Sequence, residues 1–146
     1  MPEKAAIQAG RIMIEQIQHL AESRRDFGFE TTLSGKSYAN LLHKLKGKGY
    51  RIHLFFLWLP NADLAIERIA DRVRKGGHTI PEGVVRRRFH KGLNNFIKIY
   101  RPLLDSWFII DNSRETSQMI AFERDGVRKV IAPEIFAKIF QGKGEI

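Results

Sequence analysis

Apolar residues at Ile7, Gly10, Ile14, Ile17 and Ala21 recur every three or four positions, separated by Gln8, Arg11, Glu15, Gln18 and Glu22. That period predicts an amphipathic helix ending near Ser23. Asp26 to Thr31 then reads as a short strand, and Ser37 to Lys48 as a second helix closed by Gly49. The aromatic and β-branched run Tyr50 to Leu59 is the strongest strand pattern. It is apolar on consecutive positions from Leu54 to Leu59, so both of its faces are expected to be covered.

Asn61 is placed to cap a helix running to about Lys75, with Ala62, Ile66, Ile69, Ala70 and Val73 on its inner face and Gly76-Gly77 as its stop. Thr79-Ile80-Pro81-Glu82 has the spacing of a capping box and starts a helix with Val85, Phe89, Leu93 and Phe96 on one side, limited by Pro102. Trp107 to Ile110 forms a short buried strand that ends in the polar tip Asp111-Asn112-Ser113. Met119 to Glu123 and Val127 to Ile131 flank Asp125-Gly126, which marks a hairpin. Pro133 to Phe140 closes the chain with a helix. Helices alternating with strands over short connections define an α/β fold, a parallel or mixed sheet between helices with an antiparallel hairpin at its edge.

Composition narrows the picture. The 146 residues fit one domain able to bury roughly two thirds of its extended surface. There is no cysteine, which excludes disulfides and thiolate metal sites. The longest apolar run falls far short of the ~20 residues of a membrane helix. The start Met-Pro-Glu-Lys lacks the pattern of a signal peptide, so the chain reads as cytoplasmic, with no membrane partner. Lys and Arg outnumber Asp and Glu by 25 to 16, giving +9 and a pI near 10.1. That charge favours anionic partners: nucleotides, nucleic acid or anionic lipid heads.

The stretch Phe27-Gly28-Phe29-Glu30-Thr31-Thr32-Leu33-Ser34-Gly35-Lys36-Ser37 comes close to a phosphate-binding loop and departs from it at one decisive place. The first glycine of a Walker A loop belongs five positions before Gly35, and that position holds Glu30, whose carboxylate would repel a phosphate. Gly35-Lys36-Ser37 is therefore read as a helix start. Phe29-Glu30-Thr31-Thr32 sets an acid and two hydroxyls where a strand yields to a loop. Either it faces a substrate or it is a strand end in which Thr32 or Ser34 caps the next helix.

Arg68 and Arg72, four apart on one helical face, can clamp phosphate oxygens with their guanidinium forks. Arg74 and Lys75 follow, and then Gly76-Gly77-His78, a combination of cation and hinge suited to a lid. The alternative is a solvated basic face with Asp71 as internal partner. Arg86-Arg87-Arg88 points in too many directions for all three to meet one ligand. Asp111-Asn112-Ser113 either meets a base or ribose at the sheet edge or forms a turn. No His/Glu pair has metal-ligand spacing.

Phe-Glu-Thr-Thr-Leu-Ser-Gly-Lys-Ser-Tyr, Gly49-Tyr50, Leu57-Trp58-Leu59-Pro60, Arg72 to Pro81, Arg86-Arg87-Arg88-Phe89 and Asp111-Asn112-Ser113, in this order, resemble the zeta-toxin-like P-loop ATPases and kinases over about residues 5 to 115. The resemblance implies a three-layer P-loop kinase-like fold, ATP or GTP as phosphoryl donor with Mg²⁺, and a small-molecule acceptor. On that basis Arg72 and Arg88 are the candidate catalytic residues, and Glu30, Thr32 and His78 the candidate acceptor-binding residues. Arg68, Arg74, Asp111 and Asn112 are candidates for nucleotide binding. His78 stands where zeta toxins carry a second arginine. In that family the Walker A strand, its loop and the aspartate serving as acceptor base lie upstream of the first helix, so the chain reads as a truncated or split form.

Three readings follow. The first is a kinase domain with acceptor and lid parts, inactive alone and completed by a missing N-terminal half, with an antitoxin or a second copy as further partners. The second is a basic nucleic-acid module using the cations from Arg68 to Arg88 with Phe89 or Tyr100. The third is a non-catalytic remnant that pairs through an exposed sheet edge.

Overall fold

The computed structural model describes residues 2–141, with side chains from residue 4. They form two compact units, Met1–Thr31 and Thr32–Ile146. In the first unit, α1 (Pro2–Glu22) follows the apolar period. It closes where Arg24 takes φ +56, with Arg24 N–H donating to Ala21 O at 3.1 Å and Arg25 N–H to Leu20 O at 3.3 Å. This is the left-handed cap that ends many helices, built here without glycine. Asp26 to Thr31, expected as a strand, carries no assigned secondary structure and is not one of the four strands of the sheet. Phe27 and Phe29 are half-buried while Gly28 and Glu30 are exposed. A period of two is what any extended backbone shows, so alternation alone does not identify a strand.

The second unit carries α2 (Ser37–Gly47), β1 (His53–Trp58), α3 (Ala62–Arg74) and α4 (Glu82–Asn95). A π-helical turn (Phe96–Tyr100) and a 3₁₀ turn (Arg101–Leu103) continue α4, with Pro102 inside the latter. Then come β2 (Ser106–Asp111), β3 (Gln118–Arg124), β4 (Val127–Val130) and α5 (Pro133–Phe140). The strands make one sheet in the order β1-β2-β3-β4. β1 and β2 run parallel, from His53 opposite Ser106 to Trp58 opposite Asp111, with α3 and α4 in the crossover. β2, β3 and β4 are antiparallel. The β3–β4 turn places Asp125 at φ +49 and Gly126 at φ +80, the conformation a two-residue hairpin selects because it matches the strand twist. Helices and a mixed sheet together form the expected α/β fold.

The core lies on one face of the sheet. Phe96 stacks on Phe56 at 4.9 Å between ring centroids and meets Trp107 edge-on at 6.0 Å. Ile109, Tyr100 and Ala121 complete this fully buried layer. The same strands leave their other face partly uncovered: Phe55 is 61% and Leu57 58% exposed. Burial on both faces of Leu54 to Leu59 is therefore not found. Apolar side chains on consecutive strand positions point to opposite faces, and packing covers only one of the two here.

Two helix starts also differ from expectation. The N-cap of α4 is Pro81, whose carbonyl accepts from Val84 and Val85 N–H at 3.0 and 3.1 Å, so Thr79 lies outside the helix and no capping box forms. The N-cap of α2 is Lys36 without a side-chain cap, because the Thr32 and Ser34 hydroxyls bond each other at 2.8 Å. Asn61 does cap α3, its Oδ1 accepting from Leu64 N–H at 2.9 Å.

Candidate functional site

The parallel strands β1 and β2 end side by side at Trp58 and Asp111. In open α/β sheets the crevice beyond such carboxyl ends is where ligands meet the protein, because connections diverge there and leave backbone groups accessible. α3 begins four residues after Trp58 and carries Arg68, half-buried, and Arg72, exposed, one helical turn apart. Neither arginine is engaged in an ion pair or side-chain hydrogen bond among the described residues. Arg74, by contrast, is paired with Asp71. Asp71, the internal partner expected for the whole run, pairs among the described residues with Arg74 alone.

Gly76-Gly77 forms a Schellman stop. Gly76 N–H donates to Val73 O at 3.1 Å and Gly77 N–H to Arg72 O at 2.8 Å, with Gly76 at φ +103. A side chain at residue 77 would sit 2.9 Å from the Arg72 carbonyl oxygen, so the second glycine is required by close approach to α3. His78 follows, exposed, in the connection to α4. On α4, Arg86 reaches Asp63 at 2.6 Å, Arg87 is exposed and Arg88 half-buried. The triplet is thus split into one structural ion pair and two other cations.

The loop of residues 32–36 is held by α4 and the π-helical turn. Asn95, buried, donates from Nδ2 to Leu33 O at 2.7 Å. Tyr100 Oη donates to Gly35 O at 2.7 Å. Gly92 lies so close that a Cβ there would stand 2.4 Å from Thr32 O. Leu33 adopts φ +56 and is buried within this clasp. The Tyr100 hydroxyl is pushed above its ordinary pKa by burial, which keeps it protonated as a donor. Thr32 itself is exposed. Glu30 belongs to the first unit and is exposed.

At the sheet end, Asp111 Oδ1 accepts from Ser113 N–H at 2.9 Å and from Ser113 Oγ at 2.6 Å. Asn112 N–H donates to Trp58 O at 2.9 Å, and Asn112 Oδ1 accepts from Ser117 Oγ at 3.4 Å. This polar tip is a closed Asx turn that ties β2 to the end of β1.

Asn95 was not singled out in the sequence, and Tyr100 was considered only as an aromatic for nucleic acid; together they clasp the 32–36 loop, and the available signal was the Asn94-Asn95 pair just ahead of Phe96-Ile97. Asp105 was not singled out either. Its Oδ2 accepts from Ile52 N–H at 2.7 Å, and this bond, aided by Lys46, Arg51 and His53, holds the carboxyl below the usual range despite partial burial.

A nucleotide with Mg²⁺ would require amide groups curled round a phosphate and an oxygen ligand set. The Gly35 region does not fit that requirement: the position of the loop's first glycine is held by Glu30, whose carboxylate opposes a phosphate. Among the described residues no group of three or more His, Asp or Glu could hold a metal ion, and no helix is long and apolar enough to cross a membrane.

A mixed sheet with a parallel pair, a two-helix crossover starting at the sheet's carboxyl end and arginines on that crossover define a P-loop-kinase-like α/β protein. The Zeta toxin family model matches residues 3–132, and the chain belongs to that family. An uncharacterised protein of Haemophilus influenzae is 33% identical over 88 residues, which cover 60% of this chain. The matched stretch spans 63% of that relative's length. No solved structure matches the chain.

Proposed function

We propose that this chain is the acceptor-and-lid part of a zeta-toxin-like phosphotransferase using ATP or GTP, and that by itself it does not transfer phosphate. The observation that carries the reading is the Arg68/Arg72 pair, unengaged by any carboxylate among the described residues, on a helix that starts at the carboxyl end of β1. Positive charge there suits the equatorial oxygens of a phosphoryl group in flight. Arg72, supported by Arg88, serves that group; Glu30, Thr32 and His78 face the acceptor; Arg68, Arg74, Asp111 and Asn112 border the nucleotide. The grip on the β- and γ-phosphates is supplied from outside these 146 residues, by another polypeptide or segment, in the cytoplasm where the donor is abundant.

The test has two arms. Mg·ATP or Mg·GTP added to the chain alone should leave its melting temperature unchanged, and tight binding would overturn the inactivity. A fusion carrying a Walker A strand and loop ahead of α1 should bind Mg·ATP and hydrolyse it slowly. In that fusion Arg72→Ala should lower kcat by roughly a thousandfold, the scale on which arginines act in phosphoryl transfer. An unchanged kcat would remove Arg72 from the mechanism.

A further inference from the structure

The incompletely covered face of the sheet has an order that the phosphotransferase reading does not use. Register places Phe55, Phe108, Phe122 and Lys129 in one cross-strand row. The rings form a column: Phe55 on Phe108 at 4.7 Å and 10°, Phe108 on Phe122 at 5.9 Å and 22°. The next row holds His53, Ser106, Arg124 and Val127, and the row on the other side Leu57, Ile110 and Met119. The two strand carboxylates, Glu123 and Asp111, pair with Trp107 and with Trp58 and Gln118, and so point to the opposite face. On this face the strands therefore present aromatic rings and cations with no acidic side chain. Phe55, Leu57, His53, Arg124 and Lys129 are all exposed.

We propose that this sheet face binds single-stranded nucleic acid. Bases have flat π-faces that stack on aromatic side chains regardless of sequence, and the phosphates between them call for cations without competing carboxylates. From β1 to β4 the face spans three strand spacings, about 14 Å. Phe108 has a ring on each side, so a base stacks on Phe55, the exposed end ring of the column, and the adjoining phosphates cross the ring edges toward Arg124 and Lys129. A net charge of +9 draws in a polyanion and opposes a second copy of the same face, which would set Arg124 and Lys129 against their equals. Nucleic-acid binding through the cations from Arg68 to Arg88 with Phe89 or Tyr100 is a poorer fit: Tyr100 is fully buried, Phe89 is half-buried, Arg74 is paired with Asp71, and Arg86 with Asp63.

The probe is a fluorescein-labelled oligouridine or oligothymidine of roughly ten nucleotides, followed by anisotropy on the whole chain between about 50 and 200 mM salt. Phe55→Ala should weaken binding about tenfold, and Phe55→Tyr should retain it. Arg124→Ala with Lys129→Ala should reduce the log–log salt slope by about 1.4, the share of two phosphate contacts on a single strand. Arg87→Ala with Lys91→Ala, on exposed α4 positions, should leave affinity within about twofold and serves as the control for non-specific charge. Because Phe55 and Arg124 are exposed, the variants should melt with the parent, and circular dichroism verifies that. No saturable binding, binding indifferent to Phe55→Ala, or equal loss in the α4 control overturns the proposal. So does a dimer in sedimentation that Phe55→Ala dissolves, since it would assign the face to a second copy.

Discussion

On one face of the sheet Trp107 and Ile109 are sealed beneath Phe96, at 1%, 0% and 0% exposure; on the other, Phe55 keeps 61% of its surface. Both faces are drawn from the same strands and the same residue types. What separates them is what lies above. The sealed face receives the π-helical turn, whose Phe96 and Tyr100 reach back to β1, β2 and the 32–36 loop, so each ring there fixes several elements at once. On the open face the rings meet chiefly one another, in a column along the register. Apolar residues in one strand therefore divide into those that define the fold and those the fold can spare for a ligand.

The comparison can be broken most forcefully in the core. Phe96→Ala should cost about 3–5 kcal/mol in urea unfolding, because it opens a cavity against both Phe56 and Trp107. A loss no larger than that of an exposed-face variant would show the two faces to be equivalent. Gly92→Ala comes next. A methyl 2.4 Å from Thr32 O forces the loop or α4 to move, and a destabilisation of about 1–3 kcal/mol is expected.

Asp105→Asn should cost about 1 kcal/mol at neutral pH, the difference between a charge-assisted and a neutral hydrogen bond to Ile52 N–H. The sign is set by the lowered pKa of Asp105, held down first by the Ile52 N–H bond. Its contribution is complete above the ordinary carboxylate value near 4 and is lost as pH falls through the lower folded value. The gap between parent and variant should therefore begin to close below about pH 4 and vanish only beneath the lowered folded value. A gap that persists in acid would mean the charge is not responsible. Smallest of all, Phe55→Ser should change stability by no more than about 0.5 kcal/mol. A larger loss would show that the open face also holds the fold.

Much of this architecture is written locally. Asn61 before an amphipathic run, Gly76-Gly77 after it and Asp125-Gly126 between two short strands each impose a backbone conformation within a few residues, and the structure carries all three. The closing helix lies at Pro133–Phe140, as expected. The candidate site was legible only in part. The basic run on α3 was visible, yet its division into a paired Arg74 and an unengaged Arg68/Arg72 follows from side-chain geometry that no spacing rule encodes. The clasp on residues 32–36 joins positions about sixty apart in the chain, Leu33 with Asn95 and Gly35 with Tyr100.

The sequence by itself determined the α/β class, the position of most elements, a basic charge suited to anionic partners and the resemblance to the zeta toxins, because periodicity, turn chemistry and motif order are properties of short stretches. Only the tertiary structure decided which face of β1 is buried, where Asp111 and Arg74 are tied up and how three phenylalanines from three strands fall into one column. Those outcomes depend on strand register and on which helix covers which face, and both are set by contacts between residues far apart in the chain.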